Sequence, residues 1–351
     1  MRAFSCYLYE NFDPEEHASN SGNPRNFLNE TIYPVLSHIA DGHCSSHEFS
    51  SEILSPLITG GILRKENERL FFDTPIFLNE DAAVLQQFMV EKGSALALQL
   101  SDSLPALRQC CAGINDFSPE VNLYHLLCGM VFDGLFFDYL TQRGVVATSR
   151  MHPSGLDYLS ILYETCPELD TLSNKLLCSY NRFTDGSCAL QSFGDADGNR
   201  FDFYRVSRQM ESGIPVLPHP LPSKDWLLSQ VRELAVHGNC HPTARSLLEQ
   251  FGYAQNASFI VPVYGATAED AARQIEAIVE QSIGDAFAKA LSSPPMITAT
   301  RHGVAPGEIA NELYHILFGA INEALCASGT AAMPPCIPGQ GRFLRCVILD
   351  R

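Results

Sequence analysis

Val121 to Arg143, VNLYHLLCGMVFDGLFFDYLTQR, is the longest apolar run in the chain, and its reading decides the fold. Apolar residues from Leu123 to Leu140 would cover every side of a helix and leave no solvent stripe, the pattern of a helix buried all round. A membrane span of about 20 residues tolerates central charge poorly. Asp133 stands near the middle of this one, with His125 and Asp138 also inside it. The expectation is therefore a core helix of a soluble protein, closed by Gly144 as a C-cap.

A buried aspartate must find a donor, take up a proton or face a cavity. His125 and Asp133 lie eight positions apart, about 80° around an axis of 3.6 residues per turn, so one side of the helix can carry both. Downstream, Val145 to Thr148 reads as a short β-branched strand, and Ser149 to Gly155 (SRMHPSG) as the polar loop after it. Open α/β sheets place sites in such loops, and Arg150, His152 and Ser154 would converge there with Asp133. The plainer alternative makes Ser154 the N-cap of a helix GLDYLSILYE and pairs Asp133 with Arg150.

The 351 residues suffice for two or three domains. The 12 cysteines form no CxxC pair. Residues Met1 to Glu10 hold too short an apolar run for a signal peptide. Together these predict a reducing cytoplasm. The net charge is −17, and the first hundred residues carry six Lys and Arg against fourteen Asp and Glu. Such a surface works against unassisted attachment to anionic membranes or phosphate backbones.

Upstream of the core helix, Arg25 to Ala40 has helical spacing with a break or restart at Pro34, and a second helical segment runs from about Ser46 to Gly60-Gly61. The segment ILRKENERLFFDTPIF reads as a hairpin turning at Glu66-Asn67, and a further helix is predicted from Asn79 to Lys92, stopped by Gly93. Helix, helical segment, LITGGILRKENERLFF and following helix together resemble the winged-helix domain of bacterial transcription regulators. That resemblance implies a DNA-reading helix before Gly60 and a wing at Gly60 to Phe72, with Arg64, Lys65 and Arg69 as its phosphate contacts. From Ser45 to Thr59, however, there is not one Lys or Arg. A fold of this kind used for protein contact is thus as open as one that reads double-stranded DNA. His43 and His47 have the i, i+4 spacing of a helical metal pair, next to His38 and Cys44, but a His-rich surface turn is the commoner outcome of such a pattern.

Past the core helix, Cys188 to Phe193 and Arg200 to Val206 read as antiparallel strands, with Asp195 to Asn199 as a turn that lacks the closing Glu of a calcium loop. Ser212 to Pro222 reads as a linker. Ser223 then caps a helix that ends at HGNCHP, where His237, Cys240 and His241 are candidate metal ligands or simply a helix-ending turn. Strand Ser258 to Tyr264, helix Ala268 to Leu291, strand Met296 to Thr300, helix Pro306 to Ala327 and strand Arg342 to Leu349 follow as an α/β alternation. Arg301-His302-Gly303 resembles the RHG signature of histidine phosphatases, which implies His302 as a phosphoryl acceptor.

The expected class is α/β (α+β), with a winged-helix-like domain at 1–95, a middle region at 96–212 and a C-terminal α/β domain at 213–351, gathered around the buried helix 121–143. The expected function is a regulator whose larger portion senses a small molecule or protein partner. A hydrolase or phosphatase-like enzyme and a non-catalytic interaction module are the alternatives. No cofactor motif is identified, no membrane attachment is expected, and oligomerisation stays open.

Overall fold

A computed structural model of the chain describes residues 2–9, 24–42, 45–148, 159–196, 198, 223–337 and 341–349. The protein is a mixed α/β fold of two compact units, each assembled from three separate chain segments. The first comprises Met1–Lys92, Asp138–Ser173 and Asp285–Leu317, and the second comprises Gly93–Phe137, Asn174–Gly284 and Phe318–Arg351.

The first unit is built on a three-stranded sheet of β1 (Phe4–Tyr9), β4 (Ile76–Phe77) and β5 (Leu159–Glu164). β5 lies in the middle, antiparallel to β1 with Phe4 opposite Glu164, and parallel to β4 with Ile76 opposite Leu162. Five of its six residues are buried, which is why LSILYE has no polar alternation. This corrects the sequence reading of that stretch as the body of a helix. Val145 to Thr148 is not a strand either. Ala147 is instead held by its own N–H on Gly307 O and by Asn311 Nδ2 on its carbonyl.

Between β1 and β4 come the helices Pro24–Phe27 and Tyr33–Ala40, a single 3₁₀ turn Ser46–Glu48, and the helix Ser51–Thr59. Gly61 closes the last of these at φ 69°, so that Gly61 N–H reaches Ile58 O and Ile62 N–H reaches Leu57 O. This glycine-dependent stop turns the chain into a hairpin. Its strands are β2 (Leu63–Glu66) and β3 (Arg69–Phe72), with Asn67 at φ 55° in the tip. Ser45, just before the 3₁₀ turn, bridges Arg69 on β3.

The next helix differs from expectation at both ends. The Asp81 carboxylate, not Asn79, serves its first turn by accepting from Leu78 N–H. Gly93 adopts helical torsions, and the helix passes through it to Ser101. Met296 to Thr300 is likewise no strand: Thr298–Arg301 is one helical turn, capped by Asp81, which accepts from Thr298 N and Oγ1.

The second unit centres on a sheet ordered β10-β12-β7-β6, formed by β6 (Ser179–Thr184), β7 (Cys188–Gly194), β10 (Val263–Tyr264) and β12 (Gly341–Leu349). A two-residue strand β11 (Cys336–Ile337) pairs with β12, and β8 (Ala254–Gln255) with β9 (Ser258–Phe259) makes a separate small hairpin. The predicted strand from 258 to 264 is thus two short ones. β7 is buried along its whole length and takes β6 and β12 as neighbours, whereas its predicted partner Arg200 to Val206 lies outside the described residues, as does the linker.

Leu227, Leu228, Val231 and Leu234 of the helix Lys224–His237, with Leu247 and Leu248 of Pro242–Gln250, pack with Leu190 and Val347 of the sheet. Ser223 Oγ caps the first of these helices by accepting from Trp226 N–H, as its position in the sequence predicts. Where β7 ends, Asp195 is almost wholly buried. Its two oxygens accept from Gly198 N at 2.5 Å and from Arg342 N and Nε at 3.1 and 3.3 Å. Arg342 in turn grips Glu323 with both terminal nitrogens at 2.6 and 3.0 Å. The Asp195 turn is therefore a charged clasp on β12.

Pro119–Gln142 is the one helical run among the described residues long and apolar enough to cross a bilayer, and 61% of its most apolar window is buried inside the protein.

Candidate functional site

The core helix predicted at 121–143 is present but not regular. Ser118 caps it by accepting from Val121 N–H, and Pro119 occupies its first turn, where a missing N–H costs nothing. From Tyr124 to Leu135 the backbone takes on π-type hydrogen bonding broken by non-helical torsions at Asp133, and Phe136–Gln142 returns to the α form. Gly144, at φ 67°, ends it with the expected pair of capping bonds, Gly144 N to Thr141 O and Val145 N to Leu140 O. π segments are rare, and where they occur they often mark functional positions.

Two residues of the segment stand out. His125 is 1% exposed, with its ring edge-on to Tyr124 at 5.5 Å and tilted against Tyr264 at 5.8 Å. Among the described residues neither ring nitrogen has a hydrogen-bond partner, although its neighbours are well satisfied. Tyr124 donates to Phe193 O, Tyr264 donates to Asn122 Oδ1, and Asn122 and Asn115 exchange amide hydrogen bonds. Burial lowers the His125 pKa to about 3, so the ring is neutral at physiological pH.

Asp133 marks the kink, with φ −95° and ψ 24°, in the sparsely populated region where active-site residues recur. Among the described residues no donor meets its carboxyl, and burial pushes its pKa well above the usual carboxylate range. The residue as a whole is half-buried, as are Met130 and Phe137. A Cβ added at Gly134 would touch nothing within 4 Å. His125 and Asp133 do not meet among the described contacts. Arg150, His152 and Ser154, expected beside Asp133, lie outside the described residues.

The Arg301-His302 pair is engaged in the first unit's own architecture. Arg301 pairs with Glu80 at 2.9 Å and approaches Asp81 at 3.7 Å. His302 is 9% exposed, and its Nδ1 accepts from Phe72 N–H while its ring meets Phe72 edge-on at 4.9 Å. Burial, with Arg301 and Arg64 adding their charge, lowers its pKa to about 4. The imidazole thus anchors β3.

The hairpin cations are similarly engaged. Arg64 donates to the carbonyls of Phe72 and His302, each at 2.7 Å, and to Glu66 at 2.8 Å. Lys65 pairs with Glu68 at 3.2 Å, and Glu68 also receives Ser46 Oγ and His47. Ser46 first, then Lys65, holds the Glu68 pKa below its ordinary value. Arg69 and Arg64 both lie over the Phe71 ring, at 5.4 and 5.2 Å. The Arg64 guanidinium is the hairpin's tie to the 302 turn, and charged hydrogen bonds contribute about 1.5–3 kcal/mol each. Arg64→Ala is expected to speed amide exchange at Phe72 and Asp73 by about tenfold or more, with Lys65→Ala leaving them unchanged; equal effects would remove the anchoring role.

His237, Cys240 and His241 line an open groove of about 620 Å³ together with Glu233 and Asn239. There His241 Nδ1 accepts from Thr243 N–H and caps the next helix, and its ring lies edge-on to Trp226. His47 is exposed beside Glu68, and His43 falls outside the described residues. Among the described residues no three His, Cys, Asp or Glu side chains gather closely enough to hold a metal ion.

No family model, no curated protein and no solved structure matches this chain. Its function is therefore argued from its own side chains. The sequence singles out Asp133 and His125 by their charge in a greasy run. It gives no sign of the π geometry that separates them, nor of the backbone carbonyls that claim Arg64.

Proposed function

We propose that the protein is a regulator that works through protein contact, with a winged-helix-like module in its first unit and a small-molecule sensor in the kinked helix of its second. The observation that carries the reading is the element order of residues 33–72: helix, a bridge at Ser45, a short turn of helix, a second helix, and a hairpin whose inner strand takes the Ser45 bridge. That is the order of helices and wing in winged-helix proteins.

The charges favour protein over DNA as the partner. A DNA reader of this kind neutralises on the order of 6 to 10 phosphates, and the exposed residues of the helix Ser51–Thr59 are Ser51, Glu52, Ser55 and Thr59. Two of the three hairpin cations are paired with carboxylates. Titration of a fluorescent 30-base-pair duplex, a length of about three helical turns, is expected to give no complex in low salt. Capture from the host lysate is expected to retain a partner that Ser55→Arg loses. Salt-sensitive duplex binding weakened by Arg69→Ala would replace this reading with a DNA-binding one. The eleven described cysteines are all free thiols.

A further inference from the structure

The groove of about 620 Å³ at the end of the helix Lys224–His237 shares no residue with the hairpin or the kinked helix. Gln230, Glu233 and His237 line it from the helix, and Asn239 and His241 from the turn that follows. Small-molecule sites in general enclose about 300–1,000 Å³. Apart from Cys240 and Pro242 this lining is polar, so the groove suits a ligand recognised by hydrogen bonds and charge rather than by hydrocarbon.

The turn itself decides which polar atoms remain for such a ligand. Gln230 Oε1 accepts from His241 N–H at 2.8 Å, Asn239 Oδ1 accepts from Arg245 Nη2 at 3.0 Å, and His241 Nδ1 accepts from Thr243 N–H at 3.2 Å. A main-chain N–H and a guanidinium can only donate, so each partner fixes the orientation of the side chain it meets. What is left on each is a donor: Gln230 Nε2, Asn239 Nδ2 and, in the tautomer that leaves Nδ1 bare, His241 Nε2. None of the three meets an acceptor among the described residues. The groove's carboxylate, Glu233, has His237 Nε2 at 3.8 Å, too far for a hydrogen bond.

Three N–H donors call for an acceptor oxygen, and a carboxylate calls for a cation. Phosphate and other plain anions would meet Glu233 with like charge, in a chain whose net charge is already −17. A sugar ring needs a flat aromatic face, and Trp226, whose ring packs against His241, does not line the groove. We propose that the groove binds a free α-amino acid, its carboxylate accepting from Gln230, Asn239 and His241 and its ammonium meeting Glu233. This goes beyond the regulator reading and does not rest on it.

The probes are the free L-amino acids, titrated into the full chain at pH 7 and followed by the side-chain amide resonances of Gln230 and Asn239. Both resonances are expected to shift together and to saturate with at least one amino acid below about 10 mM. Acetate and methylamine, which carry one end each, and phosphate and glucose are expected to need at least about tenfold more. Asn239→Asp keeps the oxygen that Arg245 holds and replaces the donor with an anion, so it is expected to weaken the amino acid by about tenfold or more. Glu233→Gln should cost about fivefold, the upper worth of an exposed ion pair. Glu233→Lys should reverse the preference, so that acetate binds more tightly than the amino acid. Unchanged Trp226 fluorescence without ligand would show that each variant is folded.

A chain whose two amides ignore every amino acid would overturn the proposal. So would acetate, phosphate or glucose binding as tightly as the best amino acid, or wild-type binding by Asn239→Asp or Glu233→Lys. Partner capture lost by Ser55→Arg would stand whichever way this titration comes out, so failure of the ligand and failure of the regulator reading are separable.

Discussion

Asp195→Ala is expected to lower the stability of the second unit by about 3 kcal/mol, the lower end of the cost of breaking a buried ion pair. The carboxylate accepts three hydrogen bonds across the junction of β7 and β12, and alanine leaves Gly198 N–H and the Arg342 main chain without them. Arg342 keeps Glu323, and its side chain is 21% exposed, so water recovers part of the loss. Trp226 lies in the same unit and is the chain's only tryptophan, so urea unfolding followed by its fluorescence reads the effect directly. With an m-value of about 1–3 kcal/mol/M, the midpoint should fall by about 1 M or more. Arg342→Leu alone should cost a similar amount, and the double variant less than the sum of the two, because the second change removes a charge that the first left stranded. Additive losses would mean that Asp195 is only a turn residue.

The second large effect is acid sensitivity set by His125. An unfolded histidine titrates near 6.5, and the buried ring at about 3. Above pH 6.5 both states are neutral and stability is full. As pH falls below 6.5 the unfolded chain takes up a proton that the folded one refuses, so stability is lost at about 1.4 kcal/mol per pH unit. The loss continues until pH reaches about 3. By pH 4 it amounts to about 3 kcal/mol, an upper figure because the unfolded chain retains some structure. His125→Phe puts a somewhat larger aromatic ring in the site, at some uniform cost in packing, and has nothing to protonate, so the Trp226-monitored stability should become flatter between pH 6.5 and 4. His302 contributes a loss of the same sign in the first unit, over the window from 6.5 to about 4. Parallel curves for wild type and His125→Phe would show that the imidazole has an acceptor in solution.

The elements legible in the sequence are those whose signals are local. Pro306–Ala327 is a helix with the predicted bounds, because proline opens it and apolar residues recur over many turns. The hairpin at 63–72 and the cap at Ser223 follow from turn chemistry and a hydroxyl at one position. LSILYE was misread because a short continuous apolar run fits a buried strand and a buried helix equally, and only its neighbours β1 and β4, distant in the chain, decide between them. Gly93 was misread as a stop because glycine permits a left-handed exit without requiring one. The division of the chain into units leaves no mark in composition. At the candidate site, Asp133 was visible as a charge among hydrocarbon. The loss of helical torsions around it was not, since no proline announces the kink.

The two units are threaded through one another in sequence, and this limits how the protein can be dissected or can have arisen. β5, the middle strand of the first sheet, is encoded after the kinked helix, and the turn that holds the hairpin is encoded more than two hundred residues beyond the hairpin itself. A fragment ending near residue 92 would carry two edge strands without the strand that joins them. No single cut yields a free-standing first unit, so any gain or loss of the second unit in ancestry has to have happened by insertion or excision within a gene rather than by joining two genes end to end.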